Sequence, residues 1–191
     1  MSVYLGSTLI TFALQWAGFA VAFGLQTEKF YDILGGANYL ALAAYSACLG
    51  GAGWASDSRR IAATIIFVCS RGWLLGFLSW RAHERQGDAR FDKIKGNAGA
   101  FATAWTVQGV WVLLVSLPLL YINASPASEA RALAVHDVLL LAAFGLGVVI
   151  EIVADVQKAL WVKSGRQGGF CTRGLWSFSR HPNYFGEMLQ W

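Results

Sequence analysis

Charge is scarce in this chain. Only 14% of its 191 residues are Asp, Glu, Lys or Arg, against about 25% in an ordinary soluble domain, and 56% are hydrophobic. That balance excludes a water-soluble globule, because too few polar side chains exist to cover one. Cysteine is scarce as well. Cys48, Cys69 and Cys171 make no disulfide framework, and the first two fall in apolar runs where a small soft side chain packs well. No CxxC pair or His/Cys cluster suggests a metal. A dinucleotide fingerprint is missing too: Gly165-Arg166-Gln167-Gly168-Gly169 lacks the GxGxxG spacing and follows no strand. The net charge of +4 is no nucleic-acid signal, since the basic residues lie beside apolar segments.

Long apolar runs are what the chain has. They predict helices over 3–25, 33–54, 60–81, 101–122 and 134–160, with a sixth beginning near Pro182 and stopped by the end of the sequence. The expected fold is all-α: one transmembrane domain over 1–191, with five full membrane helices and the start of a sixth. The first run carries no charged n-region or small-residue cleavage site, so it reads as a retained anchor. Small residues at Gly35-Gly36, Gly50-Gly51-Ala52-Gly53 and Gly145-Leu146-Gly147 suit close helix packing in lipid. Basic residues are unevenly shared. Lys29, Arg81, Arg85, Arg90, Lys93, Lys95, Lys158, Lys163, Arg166, Arg173 and Arg180 fall at one set of helix ends; Arg59, Arg60 and Arg131 fall at the other. The positive-inside rule puts the eleven in the cytosol and the N-terminus outside.

Three charges lie where apolar residues are expected. Arg71 sits near the middle of the third helix, where a cation costs about 2.5–3.5 kcal/mol on insertion scales and therefore faces a partner or a wet cavity. Two readings are open: a structural pair with Glu151, or an anion-binding arginine. Glu151 and Asp155 are one turn apart on one face of the fifth helix, so a cation or hydrogen-bond donor should sit opposite, with Lys158 near enough to take part. An interfacial acid is the other reading of Asp155. His136 and Asp137, near the outer end of that helix, read as solvated or capping groups, and His83 has no evident partner.

The block Arg180-His181-Pro182-Asn183-Tyr184-Phe185-Gly186-Glu187 carries the most chemistry. Proline at a first helical position leaves free amides beside Arg180 and His181, an arrangement suited to phosphate. Asn183 and Glu187 share one helix face, and Gly186 keeps the region thin enough for a flat ring to approach. Tyr184 and Trp176 are candidates to stack on such a ring, or are interface-belt aromatics.

This block resembles the signature of the steroid 5-alpha-reductase-like membrane proteins, above all the DUF1295 branch. Gln26-Thr27-Glu28-Lys29-Phe30-Tyr31-Asp32, Arg90-Phe91-Asp92 and the stretch from Glu151 through Asp155 to Gln157-Lys158 resemble that branch in the same order. The resemblance implies an integral, multi-pass membrane reductase. It would use NADPH on a conjugated double bond of a lipophilic enone or enoyl substrate. Its membrane would be the endoplasmic reticulum in a eukaryote, or the inner or plasma membrane in a bacterium, with the cofactor site facing the cytosol. Arg71 and Arg81 resemble the family pair that contacts the cofactor phosphates. Asp155, Arg180, His181, Asn183, Tyr184 and Glu187 complete the implied cofactor shell. Glu28 resembles an acid that helps hold the substrate carbonyl, although an interfacial Glu28–Lys29 pair fits the same residues. The steroid enzymes place a proton-donating tyrosine where this chain has Val68; Tyr31, Tyr45 and Tyr184 are the candidates to replace it. Members continue past the signature by about two membrane helices, so the sequence is expected to be incomplete at its C-terminus. Isoprenylcysteine-type membrane methyltransferases share part of the block. S-adenosylmethionine chemistry is therefore the alternative, with a non-catalytic membrane protein on the same scaffold as a third reading.

The basic asymmetry makes one prediction. In a cysteine-free background, Asp88→Cys will label with a membrane-impermeant maleimide only after the membrane is opened; labelling of intact cells would reverse the orientation.

Overall fold

The computed structural model describes residues 2–49, 54, 56–84, 87–88, 90–126, 132–166 and 169–191. Among them are six α-helices and no strand: α1 (Val3–Leu25), α2 (Tyr31–Leu49), α3 (Ser58–Glu84), α4 (Ala98–Ala124), α5 (Val135–Lys163) and α6 (Pro182–Leu189), with a 3-10 turn at Gly174–Ser177. Gly50–Gly53, Arg85, Arg131, Gln167 and Gly168, used in the sequence reading, lie outside the described residues.

Four helices, α1, α3, α4 and α5, are long and apolar enough to cross a membrane, so this is a multi-pass membrane protein. The expectation of five full spans is corrected at α2. Its 19 residues rise about 28 Å, enough in length. Asp32, Asn38, Ser46 and three tyrosines dilute its apolar character. The physical reason lies in its packing: α2 touches α1, α3 and α4, so much of its surface meets protein rather than lipid.

Local capping sets the helix ends. Ser2 accepts the Leu5 N–H at 3.2 Å to start α1, and Gln26 ends it in the left-handed region at φ 52. Asn97 caps α4 by accepting the Ala100 N–H at 3.0 Å. Asp57 opens α3 by accepting the N–H groups of Arg59 and Arg60 at 3.0 and 3.3 Å. Asp57 also pairs with buried Arg60 at 2.9 Å, and that guanidinium donates to the carbonyls of Ser125 and Pro126 beyond α4. Asp137, expected as a solvated or capping group, caps: its carboxylate accepts the Ala134 N–H at 3.0 Å.

The chain divides into two compact units, 1–132 and 133–191. In the first, α1 packs on α2 and α4, and α2 on α3 and α4. Between membrane helices the driving force is packing and hydrogen bonding, since lipid is as apolar as leucine. The core shows this. Gln15 of α1 donates to Asn38 of α2 at 3.2 Å, and Asn38 donates to Thr11 at 3.4 Å. Asn123 of α4 donates to Ser46 at 2.9 Å and to Thr64 at 3.3 Å. These amides are buried, and Tyr39, Leu42, Phe67, Val112 and Leu119 of the same helices form a hydrophobic cluster.

In the second unit α6 lies against α5 through two glycines. A Cβ on Gly186 would stand 2.6 Å from the Gly147 carbonyl and 2.7 Å from the Glu151 N. Both obstacles are backbone and neither can swing away. Gly186→Ala is therefore expected to destabilise by about 1–3 kcal/mol, read as a drop in thermal unfolding temperature in detergent. Gly72→Ala in α3, which meets nothing within 4 Å, should raise it slightly.

Candidate functional site

The face of α5 that receives α6 carries Gly147, Glu151 and Asp155 at one-turn spacing, and both acids are buried. Their opposite numbers are amides. Gln190 donates to Glu151 at 2.7 Å, and Asn183 donates to Asp155 at 3.3 Å. Asn183, Gly186 and Gln190 recur on one face of α6, so the glycine contact sets both amide bonds in register. Lys158, expected near Asp155, lies instead over the Trp176 ring at 4.2 Å. The Trp176 indole donates to the Ala154 carbonyl at 2.8 Å, and Gln157 accepts the Leu175 N–H at 2.9 Å. The 3-10 turn is thereby pinned to α5, and the chain leaves it toward the α6 start.

That start is as the sequence predicted. Pro182 is the first helical residue, His181 is the cap, and no side chain caps the turn. The first helical bond runs from the Phe185 N–H to the His181 carbonyl at 3.1 Å. The amides of Asn183 and Tyr184 therefore have no partner within the helix. Arg180, His181 and Tyr184 are exposed, and the His181 and Tyr184 rings stack with centroids 5.2 Å apart and planes at 12°. Asn183 is half-buried, and its Oδ1 is shielded with no hydrogen-bond partner, while its Nδ2 is fixed on Asp155. Glu187 is half-buried one turn further along α6. The arrangement offers two amide donors, a guanidinium and an imidazole to an anion, and one sheltered acceptor to an N–H or hydroxyl beside it.

Glu28, Arg71 and Arg81 belong to the first unit. Arg71 is buried, donates to the Ser70 hydroxyl at 3.0 and 3.2 Å, and lies 5.6 Å from the Tyr39 ring centre. Arg81 pairs with Asp32 at 3.2 Å. Glu28 is buried. Its partners are the Asp88 N–H at 3.2 Å and Lys95 at 3.5 Å, not the adjacent Lys29. Glu28 and Arg81 line one small cavity with Tyr31, Asp32 and Phe91, with room for a few waters in its closed part. Of the tyrosines considered in place of Val68, Tyr31 donates to the Ala104 carbonyl at 2.8 Å, and Tyr45 packs its hydroxyl over Gly6. Tyr184 alone stands at the α6 start.

The Arg90-Phe91-Asp92 stretch ties down the 87–97 connection. Phe91 packs on Tyr31 at 4.7 Å and on Phe101, while Arg90 reaches Asp88 and, at 3.8 Å, Asp32. The Arg90 hydrogen bond holds the Asp88 carboxyl below the usual carboxylate range, and the same bond raises the guanidinium. Lys95 is raised chiefly by its bond with Asp92. A lowered acid stabilises the fold above its ordinary pKa of about 4, and that stabilisation is lost as pH falls through the folded value. A raised lysine stabilises below its ordinary value of about 10.4, and that is lost as pH rises through the folded value. A nitroxide at Lys93→Cys should stay immobile between those limits and loosen outside them. Asp88→Asn should remove most of the acid transition, and mobility unchanged down to pH about 2 would contradict the assignment.

Two functional partners escaped the sequence reading. Gln190 was legible in principle, on the same α6 face as Asn183. Asp32, partner of Arg81, was not, because 49 residues separate the two.

A family model described as "Protein of unknown function (DUF1295)" matches residues 18–191. No curated protein and no solved structure gives a significant match. The matched span takes in the Gln26–Asp32 stretch, Arg90-Phe91-Asp92, the acidic face of α5 and the whole α6 start. The chain belongs to the DUF1295 family.

Proposed function

We propose that this protein is a membrane-embedded reductase that uses NADPH to saturate the conjugated double bond of a lipophilic enone or enoyl substrate. The carrying observation is the α6 start: uncapped amides, Arg180 and the stacked His181–Tyr184 pair, backed by Asn183 on Asp155. Its residues fit the cofactor. Arg180, His181 and the free amides would hold phosphate. The unpartnered Asn183 Oδ1 would accept from a carboxamide or ribose hydroxyl, its rotamer fixed by Asp155. Glu187 would close the same side. When bound, NADPH supplies the hydride. Tyr184 is the proposed proton source, because the hydroxyl of Tyr31 is already committed. Arg81 and Arg71 have partners inside the first unit, so the reading does not rest on them.

Charge-assisted contacts contribute roughly 1.5–3 kcal/mol each, so two contacts to the 2′-phosphate favour NADPH over NADH by at least about a hundredfold. Thermal stabilisation of the detergent-solubilised protein by NADPH, NADH and S-adenosylmethionine measures that order, since a ligand stabilises by RT ln(1 + [L]/Kd). Arg180→Ala should weaken NADPH at least tenfold, and Arg173→Ala, in the preceding connection, should not. Stabilisation by S-adenosylmethionine with none by either nicotinamide would replace the reductase reading with the methyltransferase one. Equal losses from the two arginines would mean diffuse charge and no defined site.

A further inference from the structure

The connection that follows α5 is chemically unlike the rest of the chain. From Val156 to Gly186 there is no acidic residue, while Lys158, Lys163, Arg166, Arg173 and Arg180 all fall there. In the 87–97 connection two of the three described cations are matched, Arg90 by Asp88 and Lys95 by Asp92 and Glu28, and only Lys93 has no ion pair among the described residues. Among the described residues no ion pair or hydrogen bond engages the guanidinium of Arg166 or Arg173, and both are exposed.

Two large apolar side chains stand among these cations. Phe170 is 83% exposed and Phe178 is 89% exposed, the two highest values among the exposed large hydrophobics. Phe178 is held outward by a fixed turn. Trp176, two residues earlier, is buried and bonded to Ala154, and Gly174 at φ 57 lets the backbone press on Gln157. The connection also begins at a defined depth. The 29 residues of α5 rise about 43 Å, the full thickness of a bilayer with its headgroups, so Lys163 leaves α5 at a membrane surface.

We propose that residues Arg166, Phe170, Arg173 and Phe178 form a docking surface for anionic lipid headgroups. The two phenylalanines enter the acyl boundary, and the two arginines meet headgroup phosphates. An amphipathic surface of cations and aromatics with no acid is the composition that binds such an interface. Continuity with the membrane-crossing α5 and the unmatched positive charge favour a lipid surface over a protein partner. The surface is separate from the proposed cofactor site, and Arg180 and His181 take no part in it.

Cys171 lies between the two halves of this surface and takes a reporter. With Cys48 and Cys69 replaced by serine, a polarity-sensitive fluorophore on Cys171 is followed in nanodiscs of phosphatidylcholine alone and with phosphatidylglycerol admixed. The emission should shift to shorter wavelength in the anionic discs, and high salt should reduce the difference. Arg166→Gln with Arg173→Gln should make the two lipid compositions equivalent. Phe170→Ser with Phe178→Ser should leave the fluorophore in water in both. Identical emission from the unsubstituted surface in the two compositions would overturn the proposal. So would loss of the phosphatidylglycerol effect on adding soluble NADPH, which would assign the cations to the cofactor. A fluorophore shielded in both discs yet inaccessible to spin-labelled lipid would also overturn it and point to a protein partner.

Discussion

The close approach of α6 to α5 at Gly147 and Gly186 is the constraint from which the rest of the candidate site follows. With backbone atoms where side chains would otherwise stand, α6 lies flush on the acidic face of α5. Two carboxylates one turn apart in a membrane helix would be costly alone. Here each receives an amide, Gln190 on Glu151 and Asn183 on Asp155. The same register leaves the first turn of α6 uncapped and turned outward with Arg180, His181 and Tyr184. Fold stability and the geometry of the proposed anion site thus depend on one glycine contact.

The first unit solves a related problem differently. Its helices are joined by buried amides and hydroxyls, with Asn38 and Asn123 at the junctions. Its 87–97 connection is held by paired charges around Asp32 and by Phe91 in an aromatic cluster. Positive charge at Arg81, Arg90 and Lys95 is therefore neutralised there. It remains unmatched at Arg166 and Arg173 in the connection after α5.

Much of this was legible from residue order. Long apolar runs located the first five helices, because a membrane helix must satisfy its own backbone and so declares itself over many residues. Pro182 announced the α6 start, and the spacing of Glu151 and Asp155 demanded donors opposite. What could not be read were contacts distant in sequence. Gln190 and Asn183 each donate to an acid of α5, and Asp32 engages Arg81. α2 is less apolar than the four candidate spans, and its contacts with three other helices let it carry a buried Asn38.

The central claim is that the α6 start binds phosphate. Hydrogen exchange of the detergent-solubilised protein, with and without saturating NADPH, measures it at the atoms concerned. The account predicts that amides in the peptide spanning 181–186, with those of Asn183 and Tyr184 foremost, exchange more slowly in the presence of NADPH, and that Arg180→Ala removes the effect. NADPH binding that protects another segment and leaves 181–186 unchanged would contradict it.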